Sequence, residues 1–154
     1  MDEPILHVAL YRPEIHPNTG NIARLCAANG IPLHLVGTIG FRIDDRAVRR
    51  AGLDYWPHVD LRREKDLEEL RSALASRVYY FSTRATRTYT EVEYGRGDCL
   101  VFGPESRGLP EAVISEYRDH ALRIPMLSGQ VRSLNLATAA SIAVYEALRQ
   151  IWSK

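Results

Sequence analysis

The chain has 154 residues, of which 45% are hydrophobic and 25% charged, and its formal net charge is +1. This length allows one domain with a hydrophobic core, and the small net charge argues against indiscriminate coating of nucleic acid. No apolar run approaches the roughly 20 residues that span a bilayer, and the acidic start Met1–Pro4 lacks the basic region of a secretory signal. We therefore expect a single cytoplasmic domain over residues 1–154.

Candidate metal ligands are few and scattered along the chain. Cys26 and Cys99 are the only cysteines, and the five histidines show no H-E-x-x-H spacing. Both cysteines stand in apolar contexts that are typical of small core residues. We therefore predict no disulfide framework and no catalytic metal.

Arginine dominates the basic residues, because lysine occurs only at positions 65 and 154 among 20 Lys+Arg. A genome-wide coding bias or thermal adaptation explains most of this preference, so the distribution is more informative than the count. Arginine forms bidentate contacts with phosphate and stacks on bases. A cluster just before the aromatic pair Tyr55 and Trp56 is therefore a candidate RNA-binding segment, and its members are Arg42, Arg46, Arg49 and Arg50.

The first half of the chain contains two predicted strands and three predicted helices. Ile5–Tyr11 is an apolar run with β-branched and aromatic residues, which indicates a buried strand. Asn18 offers an N-cap for the first helix, and the pair Asn29-Gly30 ends it. The remaining elements of this half are a strand over Leu33–Val36, a short helix over Asp45–Ala51 and an amphipathic helix over Glu64–Ala75.

The second half begins with two short apolar strands, Val78–Ser82 and Cys99–Phe102. A short helix over Pro110–Tyr117 leads to a strand over Ala121–Met126, and a long helix over Leu134–Trp152 ends the chain. Because strands alternate with helices along the whole sequence, we predict an α/β fold with a mostly parallel sheet and helices on both faces.

Ligands of such folds bind at the carboxyl ends of the strands. This rule points to four segments with unusual residues: 11–21, 81–90, 103–110 and 127–135. The segment Gly103–Pro110 follows a buried strand, and its first glycine would let a ligand approach the backbone closely. It matches neither a Walker A loop nor a G-x-G-x-x-G fingerprint, and a plain turn stiffened by prolines is the alternative.

Two further segments open helices. In Asn18–Arg24, the side chains of Asn21 and Arg24 share a helix face, and the free amides of a helix N-terminus suit an anion such as phosphate. The spacing alone favours a plainer interpretation, an N-cap asparagine and a solvated arginine. In Arg132–Asn135, either Ser133 or Asn135 can cap the last helix.

The last helix is apolar on two sides, which indicates burial on two sides. In a domain of this size, one of those sides can face another subunit. We therefore expect a homodimer formed through the C-terminal helix, with a central core helix within one chain as the alternative.

Three segments together resemble the SPOUT family of S-adenosylmethionine-dependent RNA methyltransferases. The first is Asn18–Arg24 and the second is Phe102–Leu109. The third is Ile124–Met126 followed by Arg132–Leu136 and the small-residue helix. The order and spacing agree along nearly the whole chain.

The stretch Gly40–Asp45, followed by Arg49–Trp56, resembles the TrmL (YibK) subfamily of that family. This resemblance implies 2′-O-methylation of the wobble cytidine or uridine at position 34 of tRNA, with S-adenosyl-L-methionine as the methyl donor. It also implies a homodimer, with Tyr145 near its interface, and a C-terminal trefoil knot in the sheet. The knot follows from the resemblance alone, because general topology rules count heavily against one.

The resemblance carries roles over to matching positions. Arg24 would be the principal catalytic residue, and backbone groups at strand ends would bind the cofactor. The supporting catalytic residues would be Asn18, Glu105, Ser133 and Asn135. The cofactor-binding residues would be Phe81, Gly103, Ile124 and Ser133.

Three alternatives remain open. A methyltransferase could act on ribosomal RNA or on another tRNA position, although Asp44–Trp56 argues against both. A non-catalytic knotted RNA-binding scaffold would not need Arg24, Glu105 and Asn135 together. A flavodoxin-type nucleotide-binding module should have a phosphate loop after the first strand, where the Pro-x-x-His-Pro stretch fits poorly.

Overall fold

The computed structural model describes residues 3–41 and 56–153, and one sheet organises them. Its strands run in the order β3-β2-β1-β6-β4-β7-β5, and all of the described pairs are parallel. The strands are β1 (His7–Tyr11), β2 (Leu33–Val36), β3 (Leu61–Glu64), β4 (Val78–Phe81), β5 (Arg87–Thr88), β6 (Cys99–Phe102) and β7 (Ala121–Arg123).

Helices cover both faces of this sheet. They are α1 (His16–Asn29), α2 (Leu67–Ala73), α3 (Glu111–Glu116) and α4 (Leu136–Trp152), with 3₁₀ turns at Trp56–His58 and Arg118–His120. On one face, α1 and α4 bury small and branched residues such as Ile22 and Val144 in the larger core. On the other face, α2 contributes Leu67 and Leu70, and α3 packs partly buried residues against the smaller core. The prediction of a parallel α/β fold with helices on both faces is confirmed.

The sequence did not predict β3 and β5. The strand β3 has the sequence Leu-Arg-Arg-Glu and lies at one edge of the sheet with its side chains only partly covered, so it lacks the apolar run used to find strands. The strand β5 is two residues long at the opposite edge. The helix expected over Glu64–Ala75 is consequently shorter, because Glu64 belongs to β3 and the Asp66 side chain caps the helix at the amide of Glu69.

The prediction of an N-cap at Asn18 is wrong. The helix α1 begins at His16, with Ile15 as its N-cap residue and Pro17 in the first turn. Proline suits this position, because its missing N–H would have no partner within the helix. Asn18 therefore lies in the first turn of α1, where its buried side chain is available for contacts with other segments.

Other predicted elements agree with the structure to different degrees. The strand expected over Ala121–Met126 ends at Arg123, and the last helix begins at Leu136 with Asn135 as its cap. The predicted helix Asp45–Ala51 lies outside the described residues. Within residues 3–41 and 56–153, no helix is long and apolar enough to cross a membrane.

A chain of polar side chains crosses the buried part of β1, β2 and β3. The Nδ1 atom of His7 lies 2.9 Å from Nε2 of His34, and Nδ1 of His34 lies 3.0 Å from a carboxylate oxygen of Glu64. Burial is the main factor that lowers the pKa of both histidines to about 4, and the nearby Arg62 guanidinium acts in the same direction. The two imidazoles are therefore neutral at pH 7.

This histidine pair predicts a loss of stability between pH 6.5 and 4. In that window the unfolded chain binds protons that the folded chain does not, so the free energy of unfolding falls as pH falls. Burial raises the pKa of Glu64, which offsets part of the loss because the folded state then takes up a proton more readily. We expect the urea midpoint to be lower at pH 5 than at pH 7.

The control is a His7→Asn/His34→Gln double variant, which lacks both titrating groups. Its midpoint should change less between pH 7 and 5 than that of the original chain. Equal pH dependence in the two proteins would contradict this assignment.

Candidate active site

A cavity of about 710 Å³ opens at the carboxyl edge of the sheet, where β4, β6 and β7 end. Its volume is in the range of pockets that hold drug-sized molecules and cofactors. Its apolar lining includes Phe81 and Phe102, whose rings stack with their centroids 4.8 Å apart. All four predicted cofactor-binding residues line it: Phe81, Gly103, Ile124 and Ser133.

The loop after β6 folds back on its own first residue. A Cβ atom built on Gly103 would lie 2.3 Å from the backbone nitrogen of Leu109 and 2.4 Å from the carbonyl carbon of Gly108. Both neighbours are backbone atoms, so they cannot move without reshaping the loop. A guanidinium nitrogen of Arg84 donates to the carbonyl oxygen of Leu109 and ties the end of the loop to the segment after β4. Glycine is therefore required at position 103 for steric reasons.

The carboxylate of Glu105 holds this loop against the start of α1. One oxygen accepts from the backbone N–H of Glu14 at 2.9 Å, and the other accepts from that of Ile15 at 2.9 Å and from the amide of Asn18 at 3.2 Å. The anion that binds beside the N-terminus of α1 is thus a side chain of the protein, which fills the place where the sequence suggested phosphate.

A second carboxylate, from the segment before α1, binds the loop after β6. The Glu14 side chain accepts from the backbone N–H of Ser106 at 2.8 Å and from its hydroxyl at 2.8 and 2.9 Å. These hydrogen bonds lower the pKa of Glu14, with the backbone donor the largest cause. We call the two carboxylates, Glu14 and Glu105, with the donors they bind, the reciprocal clasp.

The third segment joins through a pair of asparagines. The Asn135 amide donates to the side-chain oxygen of Asn18 at 3.0 Å. The side-chain oxygen of Asn135 in turn accepts from the backbone N–H groups of Ala137 and Thr138 at 2.9 and 3.2 Å, which caps α4. The three segments found in the sequence therefore meet in one hydrogen-bonded network that runs from Glu105 through Asn18 of α1 to Asn135 at the start of α4.

Arg24 stands apart from this network. It is exposed on α1 and is not among the residues that line the cavity, unlike the other proposed catalytic residues Asn18, Glu105, Ser133 and Asn135. Asn21 is also exposed, as expected for two residues on one solvent-facing side of the helix.

The sequence did not single out several residues of the site. Leu122 and Ala139 line the cavity, and Glu14 completes the clasp. The lining residues look like ordinary core positions in the sequence, and the partner of Glu14 lies more than 90 residues away. Only the position of this loop, at the carboxyl end of the first strand, had drawn attention to it.

The candidate RNA-binding arginines at 42, 46, 49 and 50 lie outside the described residues, as does Tyr55. The two residues that precede them, Gly40 and Phe41, are described. The Gly40 N–H donates to the carbonyl oxygen of Pro13 at 3.4 Å, and the ring of Phe41 meets that of His16 edge-on with centroids 5.2 Å apart. Phe41, the last described residue before these arginines, therefore lies beside the first turn of α1. In the part of the chain that is described, no group of three His, Cys, Asp or Glu residues could hold a metal ion.

The clasp gives a prediction about ligand affinity. Removing the Glu14 carboxylate with Glu14→Ala, or the Ser106 hydroxyl with Ser106→Ala, should weaken the binding of an adenosine-based cofactor several-fold, because the loop that lines the cavity becomes less ordered. Titration calorimetry on both single variants and the double variant measures this. If the clasp acts as a unit, the double variant should bind only slightly more weakly than Glu14→Ala. Fully additive losses would contradict the proposed coupling.

The chain is similar to known methyltransferases in both sequence and structure. The model of the SpoU rRNA Methylase family matches residues 5–145. The tRNA (cytidine(34)-2'-O)-methyltransferase of Aeromonas hydrophila subsp. hydrophila is 47% identical over 149 residues, which cover 96% of this chain and 95% of the relative.

Solved structures are similar over the same span. One that concerns the 2-OH methylation of C/U34 on tRNA is 50% identical, covers 97% of each chain and has a TM-score of 0.88. The SpoU methyltransferase AviRb from Streptomyces viridochromogenes, solved in complex with the cofactor AdoMet, is 26% identical with a TM-score of 0.80. That match covers 97% of this chain and 59% of the other.

Proposed function

Because this chain belongs to the SpoU methylase family, we propose that it is an S-adenosylmethionine-dependent tRNA methyltransferase that modifies the ribose 2′-hydroxyl of the wobble cytidine or uridine at position 34. The observation that carries the proposal is the meeting of three separate segments around one cavity at the carboxyl edge of the sheet. We further propose that one methyltransferase domain over residues 1–154 carries this activity and that it acts on tRNA in the cytoplasm.

The cavity fits the proposed cofactor. It combines an apolar wall at Phe81 and Leu122 with a backbone at Gly103 that carries no side chain, so a flat ring can pack on the wall while main-chain groups contact its polar edge. Phe81, Gly103, Ile124 and Ser133 would hold the group. When bound, S-adenosylmethionine supplies an electrophilic methyl group.

The residues of this chain then have to align the 2′-oxygen of the RNA with this methyl group and provide for the removal of the hydroxyl proton. Correct placement alone can supply a large part of the rate enhancement. An arginine guanidinium keeps its proton at neutral pH, so Arg24 orients the hydroxyl and a neighbouring RNA phosphate, and that phosphate oxygen accepts the proton. Glu105 acts through the clasp as a positioning residue, because its two oxygens already accept three hydrogen bonds.

The position of Arg24 supports a functional homodimer. Since Arg24 does not line the cavity of its own chain, we propose that it serves the cavity of a second copy. The aromatic residues Tyr145 and Trp152 are exposed on α4, and the amide of Asn29 donates to the Tyr145 hydroxyl at 3.2 Å, which extends the surface onto α1. Sedimentation should therefore report about twice the chain mass of 17.4 kDa. A monomer at the concentrations that support catalysis would contradict this proposal.

A trefoil knot in the C-terminal part is consistent with the path of the chain. After β7 at one side of the sheet, the chain returns so that Asn135 contacts Asn18 and α4 packs against α1. We propose that this return passes through the loop that follows β6. In an optical trap, a knotted chain pulled by its two ends would extend to a shorter contour than the same chain without a knot.

The proposed substrate is tested with two anticodon stem-loops that differ in one atom. One carries a ribose and the other a 2′-deoxyribose at nucleotide 34, and both have cytidine there. Methyl transfer to the first and none to the second is expected. Equal transfer to both would show that the acceptor lies elsewhere in the RNA.

A further inference from the structure

Arg12 has an unusual backbone conformation at the carboxyl end of β1. Its φ angle is 49°, and among the described residues it is the one non-glycine with a positive φ. The left-handed region brings the Cβ atom close to the carbonyl oxygen, and it is disfavoured for a long side chain such as arginine. Such conformations persist where their surroundings hold them, and they cluster at functional sites.

The surroundings hold both the backbone and the side chain of Arg12. Its N–H donates to the carbonyl oxygen of Val36 at 2.8 Å. The guanidinium carbon lies 5.1 Å from the centroid of the Tyr11 ring, and the aliphatic part lies over Gly37. A Cβ at Gly37 would come within 3.0 Å of Cγ of Arg12, so this glycine provides the space in which the arginine lies.

Arg12 is an exposed cation whose direction is fixed in advance. No carboxylate among residues 3–41 and 56–153 forms an ion pair with it. A guanidinium that already rests on an aromatic ring loses less conformational freedom when it binds a planar or tetrahedral anion. The strain at position 12 therefore places a charge at the surface and does not serve an internal salt bridge.

Arg12 lies beside the loops that surround the cavity. Two residues further along, the Glu14 side chain accepts from the backbone N–H of Ser106, which lines the cavity. The Gly40 N–H donates to the carbonyl oxygen of Pro13, the residue after Arg12. An RNA whose target ribose enters the cavity would therefore carry its phosphate backbone past this exposed guanidinium.

We propose that Arg12 contacts a phosphate of the substrate RNA near the target nucleotide, and that the strained backbone at this position is retained for that contact. This inference rests on the proposed function. It extends that function by assigning a phosphate-binding residue outside the segments that resemble the family.

The strain makes the inference unusually testable, because binding and stability should change in opposite directions. Arg12→Gly and Arg12→Asn both suit a left-handed backbone and both remove the charge. We expect their affinity for tRNA to fall about three- to tenfold at moderate salt, and the slope of log K against log salt to decrease by about 0.7–0.9, as for the loss of one phosphate contact. Their urea midpoints should be unchanged or higher.

Two further variants serve as controls, one that keeps the charge at position 12 and one that removes a cation elsewhere on the surface. Arg12→Lys keeps the charge and should retain most of the salt slope while losing part of the affinity. Arg96→Asn removes an exposed cation just before β6, at the amino ends of the strands and so away from the cavity. This variant should leave the tRNA affinity and the salt slope unchanged. An unchanged affinity in both Arg12→Gly and Arg12→Asn would overturn the inference, as would a loss of the same size in Arg96→Asn.

Failure of this inference and failure of the proposed function give different results. If the original chain methylates tRNA and the Arg12 variants bind it equally well, the inference alone is wrong. If the original chain neither binds nor methylates tRNA, the proposed function is wrong and the inference falls with it.

Discussion

Replacing Arg24 with alanine is expected to lower kcat for tRNA methylation by at least about 10²-fold and to leave cofactor affinity within about twofold. The reason is geometric, since the guanidinium is proposed to align the 2′-oxygen and a phosphate, and it does not line the cofactor cavity. Stopped assays with labelled cofactor and calorimetric titration measure the two quantities separately. A loss of cofactor binding equal to the loss of rate would contradict this division of roles.

The Arg24→Lys variant examines the bidentate character of the same residue. Lysine keeps the positive charge but presents a single ammonium in place of a planar fork. We expect it to remain much less active than the original chain. Near-full activity in Arg24→Lys would show that charge alone is enough and that orientation by the guanidinium is not needed.

Whether Arg24 serves a second subunit can be decided by mixing two inactive variants. Arg24→Ala and Asn135→Ala are co-expressed with different tags, and the mixed dimer is purified through both. If Arg24 reaches the partner's cavity, one of the two sites in the mixed dimer has an intact Arg24 and an intact Asn135, and about half of the original activity returns. If Arg24 acts within its own chain, both sites remain defective and no activity returns.

Adding one methyl group at position 103 should be the most damaging small change in the cavity. In Gly103→Ala, the new Cβ would meet the backbone of Gly108 and Leu109 at 2.4 Å or less, so the loop must open. We expect a loss of about 1–3 kcal/mol in the free energy of unfolding, which is typical of overpacking. Because the displaced loop lines the cavity, cofactor affinity should fall as well, by at least about tenfold, which corresponds to about 1.4 kcal/mol of binding free energy.

Gly40→Ala is the matched control, since the same substitution has room there. Its Cβ would come no closer than 3.9 Å to a neighbour, which is an ordinary contact. We expect its stability to lie within about 0.5 kcal/mol of the original. If Gly103→Ala were equally mild in both stability and cofactor affinity, the tight closure of the loop would be irrelevant to the site.

The sequence predicted the general architecture because its signals are local. Apolar runs such as Cys99–Phe102 identify buried strands without knowledge of their partners, and their alternation with helices implies a parallel sheet. From that sheet follows the edge at which ligands bind, and the cavity lies there. The edge strand β3 was missed for the same reason, since its four residues are mostly charged.

The contacts within the site could not be predicted in the same way, because they join residues that are far apart in the chain. Glu105 was assigned a supporting catalytic role from the resemblance, whereas its three donors come from positions 14, 15 and 18, which follow the neighbouring strand β1. Glu14 itself carried no signal, since a carboxylate in a loop between a strand and a helix usually faces solvent. The left-handed backbone of Arg12 depends on Val36 and Gly37, which no local pattern connects to it.

The measurement that tests the central claim most directly uses S-adenosylmethionine labelled in its methyl group and bulk cellular tRNA that lacks this modification, with Arg24→Ala as the control. Mapping of the label by nuclease digestion and mass spectrometry is expected to place it on the 2′-oxygen of a wobble cytidine or uridine, and Arg24→Ala should give no label there. Label at another nucleotide, in ribosomal RNA offered instead, or in no RNA at all despite intact cofactor binding would contradict the account.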